Sequence, residues 1–399
     1  MKKFSRLIYV FLIISSASGQ WVQTNVACSD TVLCLTVTGS DLFAGTLFGG
    51  VFRSTNNGTS WIEVNNGLSN YDIMSLAVSG TDVFAATWGN GVFRSTNNGT
   101  NWSEIGLPST YVQALAIIDT NIFAGTNDGV FITTDNGISW SAINNGLTNR
   151  GILTLTVSGT NLIAGTSDGV FFTTNNGISW SKVVTGLTNT FVLTLVGSGT
   201  NLYAGTFGSG VFLTTNSGTN WSAVNTGIEN TMVRALADSG TKLFAGTSEG
   251  IFITINNGTS WSPVSTGLMN TDIKTLIISG TDLFAGTWGD GVWRRPISDM
   301  ITSVESLQTY SPTSYILMQN HPNPFNPNTT IRFSIAEQSN VKLKIFNAIG
   351  HEVSTVVNTE LVAGNHSIDF NAASLSSGVY FYRIETPNFT STKKMILMK

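Results

Sequence analysis

Charged side chains, cysteine and histidine are all scarce in this chain, and each scarcity excludes something. Charged residues make up only 11% of the 399. With 41 glycines, and with Asn, Thr and Ser crowding between short apolar runs, this composition predicts many short strands and turns rather than long helices. Residues 20–297 carry 16 acidic and 9 basic side chains, and 298–399 carry 7 of each. A nucleic-acid footprint needs clustered Lys and Arg to displace counterions, so that class of partner is excluded. There are two cysteines, Cys28 and Cys34. Val32-Leu33-Cys34 reads as strand, and an extended segment carries its ends beyond the roughly 4.4–6.8 Å that a disulfide tolerates between Cα atoms. Cys34 is therefore expected to be free and buried, at a site where only small size matters. All three histidines, His321, His351 and His366, lie near the C-terminus. Residues 20–297 therefore offer no imidazole base, no His-activated nucleophile and no His-rich metal site, and no cofactor or metal is implied.

Long apolar runs are missing too. The stretch Leu7 to Ile14 is too short to span a bilayer. It follows Lys2, Lys3 and Arg6 and precedes Ala17-Ser18-Gly19, the layout of a secretory signal peptide over residues 1–19. The expectation is an exported protein without a transmembrane segment, its mature chain starting near Gln20.

What is abundant is self-similarity. The phrase Leu-Phe-Ala-Gly-Thr returns with variations at Phe43, Phe84, Phe123, Ile163, Tyr203, Phe244 and Phe284, and each copy holds four runs of period-2 apolar residues. Four short strands per ~40–45 residues is the signature of a propeller blade. Trp opens the fourth run at Trp61, Trp102, Trp140, Trp180, Trp221 and Trp261, but the seventh copy runs into Arg294-Arg295-Pro296 without one. Trp21 supplies it. The sequence thus predicts a seven-bladed β-propeller over 20–297, closed by the first strand of the mature chain so that no sheet edge remains between the termini. A Ser/Thr-Pro-containing linker is expected over 298–314, and alternation in 315–399 predicts six or seven strands, hence an Ig-like β-sandwich.

The Trp belongs to a second pattern, Ser54-Thr55-Asn56-Asn57-Gly58-Thr59-Ser60-Trp61 and five further copies. It resembles the Asp-box, or bacterial neuraminidase repeat, of sialidase-like, sortilin-like and xyloglucanase-like propellers. Asp135 keeps the acid, and Asn stands at 56, 97, 175, 216 and 256. The motif reads as a hairpin tie: the Asn or Asp side chain bonds backbone N–H groups, Gly turns left-handed and Trp packs between sheets. In the family this box is structural, and the sialidase catalytic set does not map here: Arg53 and Arg94 lead into the box, on the face away from the expected site.

That site is expected where the loops between second and third strands meet the loops between blades. Candidates for ligand binding are Trp88, Trp288, Phe207, Tyr71 and Tyr111, with Asp128, Asp168, Glu249 and Asp290 as an acidic arc beside them. Exposed aromatic faces suit glycans, peptides or surface partners. The Trp residues are equally accounted for by packing over the blade tip. Asn90-Gly91, Asp128-Gly129, Asp168-Gly169 and Asp290-Gly291 are also what a tight hairpin demands if both central residues take positive φ. The blade-to-blade loops add Arg150, Phe191, Met232 and Asp272, varying where the strands do not. Arg234 and Lys274 read as solvated rim charges, with lining of the channel mouth as the alternative. The expected role is a binding module and not an enzyme. The competing reading is a glycoside hydrolase using two carboxylates among Asp72, Asp128, Asp168, Glu249 and Asp272.

In the tail, His321-Pro322-Asn323-Pro324-Phe325-Asn326-Pro327, the Gly378-Val379-Tyr380 stretch and Lys393-Lys394-Met395-Ile396-Leu397 are closely similar to the type A sorting domain of type IX secretion. The resemblance implies passage through the periplasm, recognition by the outer-membrane export machinery, and release or attachment at the cell surface. The positions carried over are Pro322, Asn323, Pro324, Gly378, Tyr380, Lys393 and Lys394.

Overall fold

The computed structural model describes residues 20–24, 30–107, 110–228, 232–240, 242–300, 315–320, 322–362 and 364–399. The expected signal peptide at 1–19, Cys28, His321 and most of the expected linker lie outside these residues. The chain divides into two compact units between Ile301 and Thr302.

Among the described residues of the first unit, seven four-stranded antiparallel sheets follow one another. Their inner strands, which number sheets one to seven, are Val32–Thr38, Ile73–Ser79, Val112–Ile118, Ile152–Ser158, Val192–Ser198, Val233–Asp238 and Ile273–Ser279. Each inner strand packs against the next, and the seventh returns to the first. The outer strand of sheet seven is Val22–Gln23, which pairs Gln23 with Trp293 and Val22 with Arg294.

The repeated phrase explains this arrangement. Sheets radiating from an axis are close together inside and far apart outside. Near the axis a Cβ on Gly45 would fall 2.5 Å from Ile73 of the next sheet, and one on Gly286 would fall 2.7 Å from Val32, across the junction between sheets seven and one. Glycine permits this approach, and sheet two fits nothing larger than Ala86 at the same position, opposite the small Ser75. Cys34, facing Gly45, is free, and burial pushes its thiol up to about 12. Two residues earlier on the same strand the gap is filled by Phe43, Phe84, Phe123, Ile163, Tyr203, Phe244 and Phe284, all essentially fully buried. At the periphery the Trp side chain of each sheet reaches back to the preceding one. Trp102 Nε1 donates to Val64 O at 2.7 Å, Trp180 to Ile143 O at 2.6 Å and Trp261 to Val224 O at 2.7 Å. Trp21 does the same to Val264 O at 2.7 Å.

The turns before Trp61, Trp102, Trp140, Trp180, Trp221 and Trp261 behave as a side-chain tie. Asn56 Oδ1 accepts the Ser60 amide at 2.9 Å, and Ser54 Oγ accepts the Gly58 amide at 2.9 Å. Asp135 is the acidic variant: the Ser139 hydroxyl first, then the Ser139 amide and the Thr133 hydroxyl, lower it from 3.8 to about 2. A carboxylate held below its unfolded value contributes stability above about 3.8 that is lost as pH falls through about 2. Between those two values the wild type is expected to lose more stability than Asp135→Asn in chemical unfolding; equal losses would contradict the tie.

The turns facing the other way correct an expectation. Asp128 and Asp168 do not take positive φ; only Gly129 and Gly169 do, at 101° and 113°. Thr126 pairs directly with Gly129, so each hairpin is an ordinary turn followed by a left-handed glycine bulge. A buried threonine dictates this form: Thr126 Oγ1 donates to Gly129 O at 2.9 Å and accepts the Asp128 amide at 3.0 Å. In the longer loops Asn90 and Asp290 likewise avoid positive φ.

The second unit packs a three-stranded sheet, Ile316–Leu317, Asn328–Ile335 and Gly364–Asn371, with a four-stranded one, Glu352–Leu361, Ser339–Asn347, Gly378–Thr386 and Phe389–Leu397. Its core includes Phe333, Tyr382, Ile345 and Met395. The linker was expected from 298, but Met300 is buried and Arg295 Nη2 donates to Asp299 O at 3.1 Å, so the first unit stays packed through Met300. Among the described residues, no helix is long and apolar enough to cross a membrane.

Candidate functional site

Every inner strand begins with a β-bulge. In sheet one the register slips between Val32 and Cys34, and the same slip recurs at Ile73/Ser75, Val112/Ala114, Ile152/Thr154, Val192/Thr194, Val233/Ala235 and Ile273/Thr275. A bulge leaves one residue unpaired and re-aims its side chain. Here the seven unpaired residues, Leu33, Met74, Gln113, Leu153, Leu193, Arg234 and Lys274, together line one cavity of about 420 Å³. Phe191 and Phe207 complete it, their rings 5.5 Å apart.

Arg234 and Lys274 are thus not solvated rim charges. Lys274 keeps only 12% of its side chain exposed, and its ammonium lies 4.3 Å from the centre of the Trp288 ring. Burial pulls its pKa down, and the hydrogen bond to Asp272 opposes that shift. Asp272 accepts from Arg234 Nη1 at 2.7 Å and from Lys274 Nζ at 3.1 Å.

The predicted aromatics lie on the loops of this face. Trp88, Trp288, Tyr71, Tyr111 and Phe207 are all about half-exposed. Trp88 stands edge-on to Tyr111 with centroids 5.0 Å apart. Asn70 and Asn189 fasten these loops: their side-chain amides donate to Trp88 O at 2.9 Å and Phe207 O at 2.7 Å, while their Oδ1 atoms accept the Asp72 and Phe191 amides. Asn270 makes the same contact to Trp288 O. The aromatics are therefore held by backbone ties rather than by a core of their own. Of the residues singled out in the sequence, Phe191, Phe207, Arg234 and Lys274 line the cavity; Trp88, Trp288, Tyr71, Tyr111 and the acidic candidates do not.

The acids expected to form an arc take mostly local partners. Asp168 is drawn to Lys182 on the outer strand of its own sheet at 2.7 Å, and Asp128 to Arg150 at 3.1 Å. Asp290 Oδ1 accepts from Gln23 at 3.1 Å, and Asp72 Oδ1 accepts the Phe48 amide at 3.0 Å. Glu249 is exposed at its loop tip. Each acid thus has its own local environment, and among the described residues no three His, Cys, Asp or Glu side chains converge.

The second unit explains why its signature comes in two distant pieces. Phe325 N donates to Ile396 O at 3.0 Å and Met398 N to Phe325 O at 2.9 Å, while Asn323 Oδ1 accepts the Ile396 amide at 2.9 Å. The segment containing Pro322, Asn323 and Pro324 thereby lies along the last strand, which carries Lys393 and Lys394. Gly378 and Tyr380 sit on the adjoining strand, opposite Leu397 and Met395. Tyr380 donates to Ser376 O at 2.8 Å.

These features define a propeller-like all-β protein with a separate C-terminal β domain, and the match of that domain to a secretion sorting family indicates export to the cell surface or the extracellular space. Residues 320–398 match the secretion system C-terminal sorting domain, and residues 14–152 match the DUF6242 β-propeller domain. No curated protein matches the chain. Among solved structures, it is similar to PorZ, described as an essential surface component of the type IX secretion system of Porphyromonas gingivalis, at 16% identity and a TM-score of 0.53 over 93% of this chain; it spans 60% of PorZ. It is also similar to YCF48 bound to D1 peptide, at 14% identity and TM-score 0.56, over 69% of this chain and 96% of that one. A third is the GH74 enzyme of Niastella koreensis, at 13% identity and TM-score 0.58, over 94% and 74%. At such identities the likeness shows the fold alone.

Proposed function

We propose that this protein is a seven-bladed, Asp-box-type propeller, delivered by a cleaved signal peptide and an Ig-like sorting tail, that binds an extracellular ligand at the mouth of its ring and performs no catalysis. The observation that carries this reading is the bulge ring: seven sheets each unpair one residue and turn it into a shared cavity, surrounded by half-exposed aromatics on fastened loops. These seven positions differ in chemistry while their flanking residues scarcely do, and variable positions on a uniform scaffold are where recognition resides. The ligand class is a glycan, a peptide or a surface partner. Among the neighbours in fold, YCF48 is solved with a bound peptide and PorZ is a surface component, while the GH74 enzyme is the neighbour that keeps the hydrolase alternative open. The separate engagement of Asp72, Asp128, Asp168 and Asp272 favours binding, since a glycosidase needs two cooperating carboxyl groups.

Replacing Trp88 and Trp288 together by Ala is expected to weaken ligand retention about tenfold or more, as loss of aromatic contacts at an interface does. Glycan and peptide arrays probed with the mature chain check this, alongside a polysaccharide-release assay. Reproducible sugar release that is lost on amidation of Asp128, Asp168 and Glu249 would overturn the non-catalytic reading.

A further inference from the structure

The cavity has a polarity that the order of the sheets imposes. Arg234 and Lys274 stand on neighbouring sheets six and seven, and both bind Asp272. Two cations around one carboxylate leave one positive charge in excess on that side. Gln113 belongs to sheet three, three steps around the ring from either cation. Leu33 and Met74 fill one flank between these poles, and Leu153 and Leu193 fill the other, where Phe191 and Phe207 join them. The mouth is therefore cationic at one pole, amide at the other and apolar between.

A half-buried excess cation gains most from a ligand that brings a carboxylate, because charge-assisted hydrogen bonds are the strong ones and water competes less there. The apolar flanks require that the carboxylate be attached to an apolar group. A cavity of about 420 Å³ is small-ligand size, large enough for the end of a chain but not for a folded surface. Building on the binding role proposed above, we infer that the mouth receives the C-terminal end of a peptide. Its free carboxylate sits at Lys274 and Arg234, its last, apolar side chain lies against Leu193 and Phe207, and a preceding backbone amide reaches Gln113. A neutral glycan would leave the excess charge unused.

The test is fluorescence anisotropy on the mature full-length chain with two fluorescein-labelled hexapeptide pools. Both end in Leu, Ile or Phe, one as the free acid and one as the C-terminal amide. The acid pool is expected to bind about tenfold or more tightly than the amide pool. Lys274→Met should erase that preference while tryptophan-detected melting shows the fold intact; if this variant does not fold, Arg234→Gln reads the same preference. Asp272→Asn should preserve it. Equal binding of the two pools overturns the inference. So does failure of both pools when a glycan or protein ligand is still lost in the Trp88/Trp288 double variant, and in that case the binding role stands. If nothing retained by the wild type depends on Trp88 and Trp288, both fail.

Discussion

Trp21→Ala is expected to destabilise the propeller unit by about 3–5 kcal/mol, the usual cost of truncating a buried Trp. That corresponds to a fall in Tm on the order of 10 °C. A residue so near the start of an exported chain would ordinarily be dispensable. Here its indole is buried and bonded to Val264 O at 2.7 Å, a carbonyl that also accepts from Arg295 Nη1 at 3.0 Å. Arg295 stands where the other sheets have Ser or Thr at the head of the hairpin tie, so the seventh sheet replaces the tie with a side chain that helps fasten the seam. Trp102→Ala, in the middle of the unit, is the comparison: both variants should lose similar stability. All ten tryptophans lie in the first unit, so their fluorescence reports its unfolding separately from the tail. A Tm for Trp21→Ala indistinguishable from wild type would mean the seam contributes nothing.

Removal of residues 315–399 is expected to abolish appearance outside the cell, with the propeller accumulating in the periplasm; immunoblots of medium, surface and periplasmic fractions check it. The physical basis is that the signature is one assembled structure. Phe325 and Leu397 are both buried and lie side by side, and Asn323 caps the last strand through the Ile396 amide. Asn323→Ala should therefore impair export even though every residue of the final strand is kept. Normal export of the deletion would show that the tail is not the sorting element.

The ring was legible in the sequence because its physics repeats: Gly where sheets nearly touch, Phe where they diverge, Thr to clasp the loop, Trp to reach the neighbour. The Trp missing from the seventh copy and present at Trp21 was enough to predict the closing strand. The floor of the mouth was not legible. Period-2 alternation places Leu33 and Leu35 on one face, but the bulge breaks that rule, leaving Leu35 buried and Leu33 in the cavity. The signal the sequence does carry is variation at a single column, Leu, Met, Gln, Leu, Leu, Arg, Lys, between residues that hardly change. The partners of the acids are hidden for another reason. Asp168 meets Lys182 and Asp128 meets Arg150 through partners 14 and 22 residues away, pairings that depend on strand register and loop path rather than on local pattern.

Closure of the ring underlies the mouth, and hydrogen exchange at its seam tests it most directly. The Thr24 amide donates to Val292 O at 2.9 Å and the Trp21 amide to Thr266 O at 3.3 Å. The amides of residues 21–24 should exchange as slowly as those of the corresponding outer strands, Ile62–Glu63 and Ser103–Glu104. Exchange at the rate of an unpaired terminus, with the other outer strands protected, would show an open stack and remove the shared cavity on which the function rests.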